Sequence, residues 1–310
     1  MSGGESAGRS APSGEQRATR SGFVALAGRP NAGKSTLVNH VVGEKVAIVS
    51  DKPQTTRRAV RGIATGPDSQ LVLVDLPGVQ RPRDPMTERM QHSVERGLAD
   101  ADAVLFLLNG EQEVGKGDRF IARAIRTSGR AAVVAVNKVD RLSRRRTLDA
   151  LMAAADLGID GEVFPISART GAGMPELTEH LVALLPEGPF LYPVEDRSDL
   201  PERVQLAELI REQVLLRTRD ELPHAVEVDL GELTERDDGL LELEAWLWAE
   251  GESQKAILIG AGGSMVKAIG TAARKEIEAA VGRRVHLELR VRVRRAWRRD
   301  DGLLDRLGIE

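Results

Sequence analysis

Eight residues near the start of the chain, Gly28-Arg-Pro-Asn-Ala-Gly33-Lys34-Ser35, constrain it more than anything else in its 310 residues. They fit the pattern G-x-x-x-x-G-K-[ST] and lie between a short apolar run, Phe23–Ala27, and an amphipathic stretch, Lys34–Val42. A strand that turns through glycines into a helix directs backbone N–H groups and the positive helix end at one point, which cradles a phosphate chain. Gly28 and Gly33 permit the wrap, and Asn31, Ala32 and Thr36 complete it. Lys34 is placed to reach the β- and γ-phosphates and Ser35 to offer its hydroxyl to Mg2+.

The surrounding pattern predicts the fold that such a loop needs. Continuous apolar runs at Phe23–Ala27, Leu71–Val74, Ala103–Leu108, Ala131–Val136 and Val163–Ile166 read as strands buried on both faces. Helical stretches at Lys34–Val42, Met86–Leu98, Asp118–Thr127, Arg146–Leu157 and Met174–Leu185 alternate with them. The expectation is an α/β domain over 21–186, a mostly parallel sheet with helices on both faces.

Ligands in such sheets bind beyond the carboxyl ends of the strands, and further motifs fall there. Asp75-Leu-Pro-Gly78 ends one strand; Asp75 can hold a magnesium-bound water and the Gly78 N–H can meet a γ-phosphate. In the preceding loop, Thr56, with Thr55 as the alternative, can place a hydroxyl on Mg2+ only when the γ-phosphate is present, which makes the loop a switch. Asn137-Lys-Val-Asp140 ends another strand. The Asp140 carboxylate can accept from N1–H and the N2 amine of guanine together, donors that adenine does not present in that arrangement. Asn137 is expected to tie this loop to the phosphate loop, and the Lys138 stem to lie over the base. At Ser167-Ala168 a backbone N–H, that of Ala168, is expected to meet guanine O6. The order of these motifs predicts a GTPase, with catalysis resting on Lys34, Thr56, Gly78 and Asn31.

Pro186, Pro189, Pro193 and Pro201 with Gly188 mark a linker over 187–200. Beyond it an α-β-β-α-α-β order is expected over 201–310, with strands at His224–Leu230, Leu241–Ala249 and Val285–Arg294. Charge is segregated there: 221–250 carry ten acids and one base, 251–299 twelve bases and four acids. The whole chain has a net charge of −3, so a nucleic-acid site has to be a local patch. Gly260-Ala261-Gly262-Gly263 has the spacing of a turn between two helices that lets a nucleic-acid backbone approach closely. Lys267 and the alternating residues Arg290, Arg292 and Arg294 are candidates for RNA contact; a solvated sheet face is the plainer reading of the last three. Trp246 and Trp248 are read first as covering a core or a domain contact, and second as stacking on bases. Lack of cysteine excludes disulfides and thiolate chemistry. Residues 1–20, rich in Gly, Ser and Arg, read as a disordered tail, not a secretory signal.

Taken together, these motifs with Gln54-Thr-Thr-Arg57, Gln254-Lys-Ala-Ile-Leu-Ile-Gly260, Ile269-Gly-Thr-Ala-Ala-Arg274 and Val285-His-Leu-Glu-Leu289 resemble the Era family of bacterial ribosome-assembly GTPases from about Gly22 to Ile309. The resemblance implies a P-loop GTPase domain followed by a smaller α+β type II KH domain. It also implies GTP/GDP and Mg2+ as ligands, and 16S ribosomal RNA in a small ribosomal subunit precursor as partner. A cytoplasmic monomer with some peripheral contact at the inner face of the cell membrane is implied as well. Where Ras-like proteins carry a water-orienting Gln after the D-x-x-G motif, this chain has Val79. In relatives reading G-R-P-N-A-G-K-S the equivalent of Asn31 helps hold K+, so Asn31 is the candidate for a potassium ligand here. The turn Gly260-Ala-Gly-Gly263 lacks the Lys or Asn often found in its middle.

Overall fold

The computed structural model describes residues 19–78, 82–219 and 222–309. The expectations for residues 1–18 and for Val79 lie outside the described residues.

The first half runs β1 (Arg20–Gly28), α1 (Lys34–Val42), β2 (Val60–Thr65), β3 (Ser69–Asp75), α2 (Pro85–Asp100), β4 (Ala103–Asn109), α3 (Lys116–Ser128), β5 (Ala131–Asn137), α4 (Arg144–Ala155), β6 (Val163–Pro165) and α5 (Met174–Ala183). One six-stranded sheet results, ordered β2-β3-β1-β4-β5-β6. Only β2 is antiparallel to its neighbour. Alternate residues of one strand feed two separate cores. Val24 and Leu26 pack with Leu37 and Leu177 on one face, Ala25 and Ala27 with Val94 and Ile121 on the other. Helices cover both faces, so the strands carry no polar alternation. β1 begins at Arg20, ahead of the expected Phe23, because Arg20 pairs with Ser69 and its guanidinium donates to the Leu185 carbonyl.

The linker is not a loose tether. Arg197 O accepts from Ile63 N, and Gln70 Oε1 accepts from the Leu191 and Tyr192 amides. It lies along the exposed edge of β2, the side of a sheet most open to unwanted pairing.

The second half comprises α6 (Glu202–Arg217), α7 (Leu222–Ala225), β7 (Glu227–Glu235), β8 (Leu241–Ala249), α8 (Glu252–Ile259), α9 (Ser264–Val281), β9 (Val285–Val293) and α10 (Asp301–Arg306). The sheet order is β7-β8-β9, antiparallel then parallel. Leu241, Leu243, Ala245, Leu247 and Ala249 point into a core shared with Ile210, Leu258, Ile269 and Ile277, so α6, α8 and α9 lie on one face. The expected strand start at His224 is displaced: Leu222–Ala225 forms a helical turn, and pairing begins at Glu227.

A fourth apolar cluster joins the halves. Met86 and Met90 of α2 pack with Trp297, Leu303, Leu304, Leu307 and Ile309 from the C-terminal end. Arg89 donates to Asp301 and Asp305 across the same seam.

Candidate nucleotide site and RNA-facing turn

The loop between β1 and α1 is held by its own geometry. Gly33 has φ of +98°, and a Cβ there would stand 2.2 Å from Asn137 Nδ2, so strain and space both require glycine. Asn137 Nδ2 donates to Ala32 O at 2.8 Å, which ties the two loops together. Lys34 is buried, its Nζ 3.4 Å from Gly28 O.

Beneath the loop three oxygens converge. Ser35 Oγ lies 2.6 Å from Asp75 Oδ2, and Thr56 Oγ1 lies 3.2 Å from that carboxylate and 3.4 Å from Ser35 Oγ. Thr55 turns away, donating to Lys52 O at 2.6 Å, while Thr56 faces the Ser35 and Asp75 oxygens. Asp75 is fully buried and its Oδ1 has no protein partner. Burial raises its pKa, opposed by Lys34 and by the Ser35 and Thr56 hydroxyls. Burial lowers that of Lys34, opposed by Asp75. Hydroxyls and a carboxylate around a buried, unpaired oxygen form a hard-donor set suited to Mg2+. No cluster of three His, Cys, Asp or Glu able to hold a metal exists among the described residues. Gly78 lies beside Pro30 on the same rim.

The base end lies across one cleft of about 590 Å3, lined among others by Asn31, Lys34, Thr36, Thr56, Lys138, Asp140 and Ala168. Asp140 Oδ1 accepts from Ser167 Oγ at 2.7 Å and Oδ2 from Arg169 at 2.6 Å. The Ser167 hydrogen bond first, then Arg169, lowers the Asp140 pKa despite partial desolvation, keeping it an acceptor. Two contacts bear on the expected roles. The Ala168 amide donates to Asn137 Oδ1 at 2.9 Å, bracing the two loops. Asn31 Oδ1 faces the Lys138 ammonium at 3.4 Å, so its carboxamide oxygen is turned toward the base end, not toward the phosphates. Sequence reasoning missed Glu111, which accepts from Lys138 and Arg141 at 3.2 Å and steadies that lysine. An acid in a loop without a motif gives no signal of this.

In the second half, Gly260, Gly262 and Gly263 all have positive φ, and the helices they join are bent by 42°. A Cβ at Gly262 or Gly263 would meet nothing within 4 Å, so the backbone there is open to a ligand. Lys267 is exposed on α9. Arg290, Arg292 and Arg294 lie apart from that turn. The helices carrying the glycine turn pack against Leu287, Leu289 and Val291, so these arginines occupy the opposite sheet face. There Arg290 pairs with Glu244 and Glu288, Arg292 lies 5.3 Å above Trp246, and Arg294 lies 5.6 Å above Trp248 and pairs with Asp300. Strand alternation forces this separation. Trp246 and Trp248 thus lie on the face away from the Leu241–Ala249 core and are covered by arginines, not by a core.

Comparison with known proteins agrees with both halves. A family model described as 50S ribosome-binding GTPase matches residues 23–138, and a KH domain model matches residues 221–298. GTPase Era of Mycolicibacterium smegmatis is 44% identical over 294 residues, 93% of this chain and 98% of that protein. GTPase Era of a Nocardioides species is 47% identical over 307 residues, 96% of this chain and 98% of its own. This chain belongs to the GTPase Era family. Its fold is similar to that of an Aquifex aeolicus Era variant bound to GDP and AlF4−, with a TM-score of 0.89 and 33% identity over 94% of this chain and 99% of that one. A second Era structure, in complex with MgGDPNP and nucleotides 1506–1542 of 16S ribosomal RNA, matches with the same TM-score of 0.89.

Proposed function

We propose that this GTPase binds GTP with Mg2+ in the cleft, hydrolyses it, and uses the nucleotide state to set the grip of its KH domain on 16S ribosomal RNA during small-subunit assembly. One observation carries the reading. Ser35 and Thr56, both hydrogen-bonded to the buried Asp75 carboxylate, line the same cleft as Asp140 and the phosphate loop. The RNA partner rests on the Era structure that contains MgGDPNP and a 16S segment.

Ser35 and Thr56 would hold Mg2+ directly, with Asp75 behind them through water. Bound there, the ion neutralises charge on the β- and γ-phosphates. The loop amides and Lys34 supply fixed positive potential without having to reorganise. Asp140, held ionised by Ser167, selects guanine. Asn31 remains the proposed potassium ligand, which requires its carboxamide to leave Lys138. Rates that are equal in sodium and potassium buffers would remove it. We further propose a cytoplasmic monomer; its peripheral membrane contact, resting on the family resemblance alone, is tested by co-sedimentation with lipid vesicles.

The direct test is hydrolysis of GTP against ATP by the full chain and by Lys34→Ala. GTP-selective turnover that Lys34→Ala abolishes is expected; equal turnover of GTP and ATP contradicts the reading.

A further inference from the structure

The segment carrying Thr56 does not end at the nucleotide. The next residue, Arg57, is completely buried in the C-terminal domain. Its Nη1 donates to Glu227 and to Val226 O, both at 2.7 Å, and its Nη2 to Pro223 O and His224 O, both at 3.1 Å. Its guanidinium lies 5.5 Å from the centre of the Trp297 ring, and the Trp297 indole N–H donates to Ala225 O. From the other side, Arg211 of α6 donates to Thr55 O while pairing with Glu208, which also accepts from Arg58. The switch threonine is thus bracketed: its predecessor's carbonyl and its successor's side chain are both bound to the other domain.

Such a cluster is a poor stabilising device. Buried ion pairs recover little net energy after desolvation, and here Nε of Arg57, Nε of Arg58 and Nη1 of Arg211 have no protein partner. What the cluster does supply is placement. Bidentate guanidinium contacts fix a backbone in direction as well as distance.

Building on the GTPase reading above, we propose that Arg57 and Arg211 are positioning residues for GTP hydrolysis: they hold Thr56 at the Ser35–Asp75 oxygens from the KH domain, so the C-terminal domain completes the catalytic site of the N-terminal one. Coupling of this kind is reciprocal. A nucleotide that draws Thr56 inward also draws Arg57 against the segment from Pro223 to Glu227 that leads into the KH sheet.

Arg57→Lys keeps a cation beside Glu227 but cannot reach four acceptors, and Arg211→Lys loses the forked contact to Thr55 and Glu208. In the full chain each is expected to lower kcat for GTP by about tenfold to a hundredfold, as misplacement on the ångström scale does. Affinity for a non-hydrolysable GTP analogue falls with it, and half-maximal analogue binding needs more Mg2+. Affinity for GDP, which has no γ-phosphate for Thr56 to follow, stays within twofold or so of wild type. Arg89→Ala, which breaks the distant pairs to Asp301 and Asp305, serves as the control for general loosening of the interface and keeps wild-type kcat. Unchanged kcat in both lysine variants, or equal losses of GDP and analogue affinity, would overturn the proposal. If Arg57→Lys melts below the assay temperature, Arg211→Lys is read alone by the same criteria. A wild-type chain that fails to hydrolyse GTP would instead refute the GTPase reading itself.

Discussion

In the proposed function Asp140 carries nucleotide choice, and its two oxygens are already oriented, one by Ser167 and one by Arg169. Asp140→Asn replaces one acceptor with a donor. GTP affinity is expected to fall by about a thousandfold or more while xanthosine triphosphate gains, as competition binding reads directly. Glu227 makes a second prediction at this scale. Burial alone would raise its carboxyl, but Arg57, Arg58 and Arg211 outweigh that and bring it from the ordinary 4.5 down to about 2. A depressed carboxylate pKa contributes stability that is fully present above the unfolded value and is lost as pH falls through the folded one. Glu227→Gln should therefore cost about 3–5 kcal/mol near neutral pH, as breaking a buried pair does. In melting curves that gap should narrow as pH falls from 4.5 toward 2.

At the scale of elements, the turn between α8 and α9 and the C-terminal helix make separate predictions. Gly263 has φ of +80° with open space where a Cβ would stand. Asp tolerates left-handed backbone better than most residues, so Gly263→Asp should fold, yet it sets a carboxylate against incoming phosphates. RNA affinity is expected to drop about tenfold or more, the scale of one lost charge-assisted contact, with hydrolysis in the absence of RNA unchanged. Trp297 is buried among Met86, Met90 and Leu304, so Trp297→Ala should cost about 3–5 kcal/mol in denaturant unfolding. The central strands and the helices covering them were legible in sequence because both faces of each strand are buried and the runs are continuous. β2 was not: Val60-Arg-Gly-Ile-Ala-Thr alternates weakly and is an edge strand covered by the linker. α10 was missed for a related reason, since six residues with two acids have no helical signal until Met86 and Met90 supply the apolar surface. The glycine turn was readable from spacing, but which sheet face Arg290, Arg292 and Arg294 occupy relative to it depends on where the helices pack.

For the whole molecule, the site motifs were legible because phosphate and guanine chemistry dictates residue types at strand ends. The domain contact was not, because Arg57 and Arg211 look like ordinary surface charges until the two halves are docked. In the proposed coupling that contact carries a nucleotide event toward the RNA-binding domain: Thr56 at one end and Pro223 to Glu227 at the other are joined through Arg57. A protein whose nucleotide site only stabilised the fold would bind RNA equally in every nucleotide state. The deciding measurement is the affinity of the full chain for an RNA spanning the 3′ end of 16S ribosomal RNA, taken at fixed salt with GDP and with a non-hydrolysable GTP analogue. Tighter binding with the analogue, by about fivefold or more, is the expected result for a coupled pair of sites. Equal affinity in the two states would contradict it.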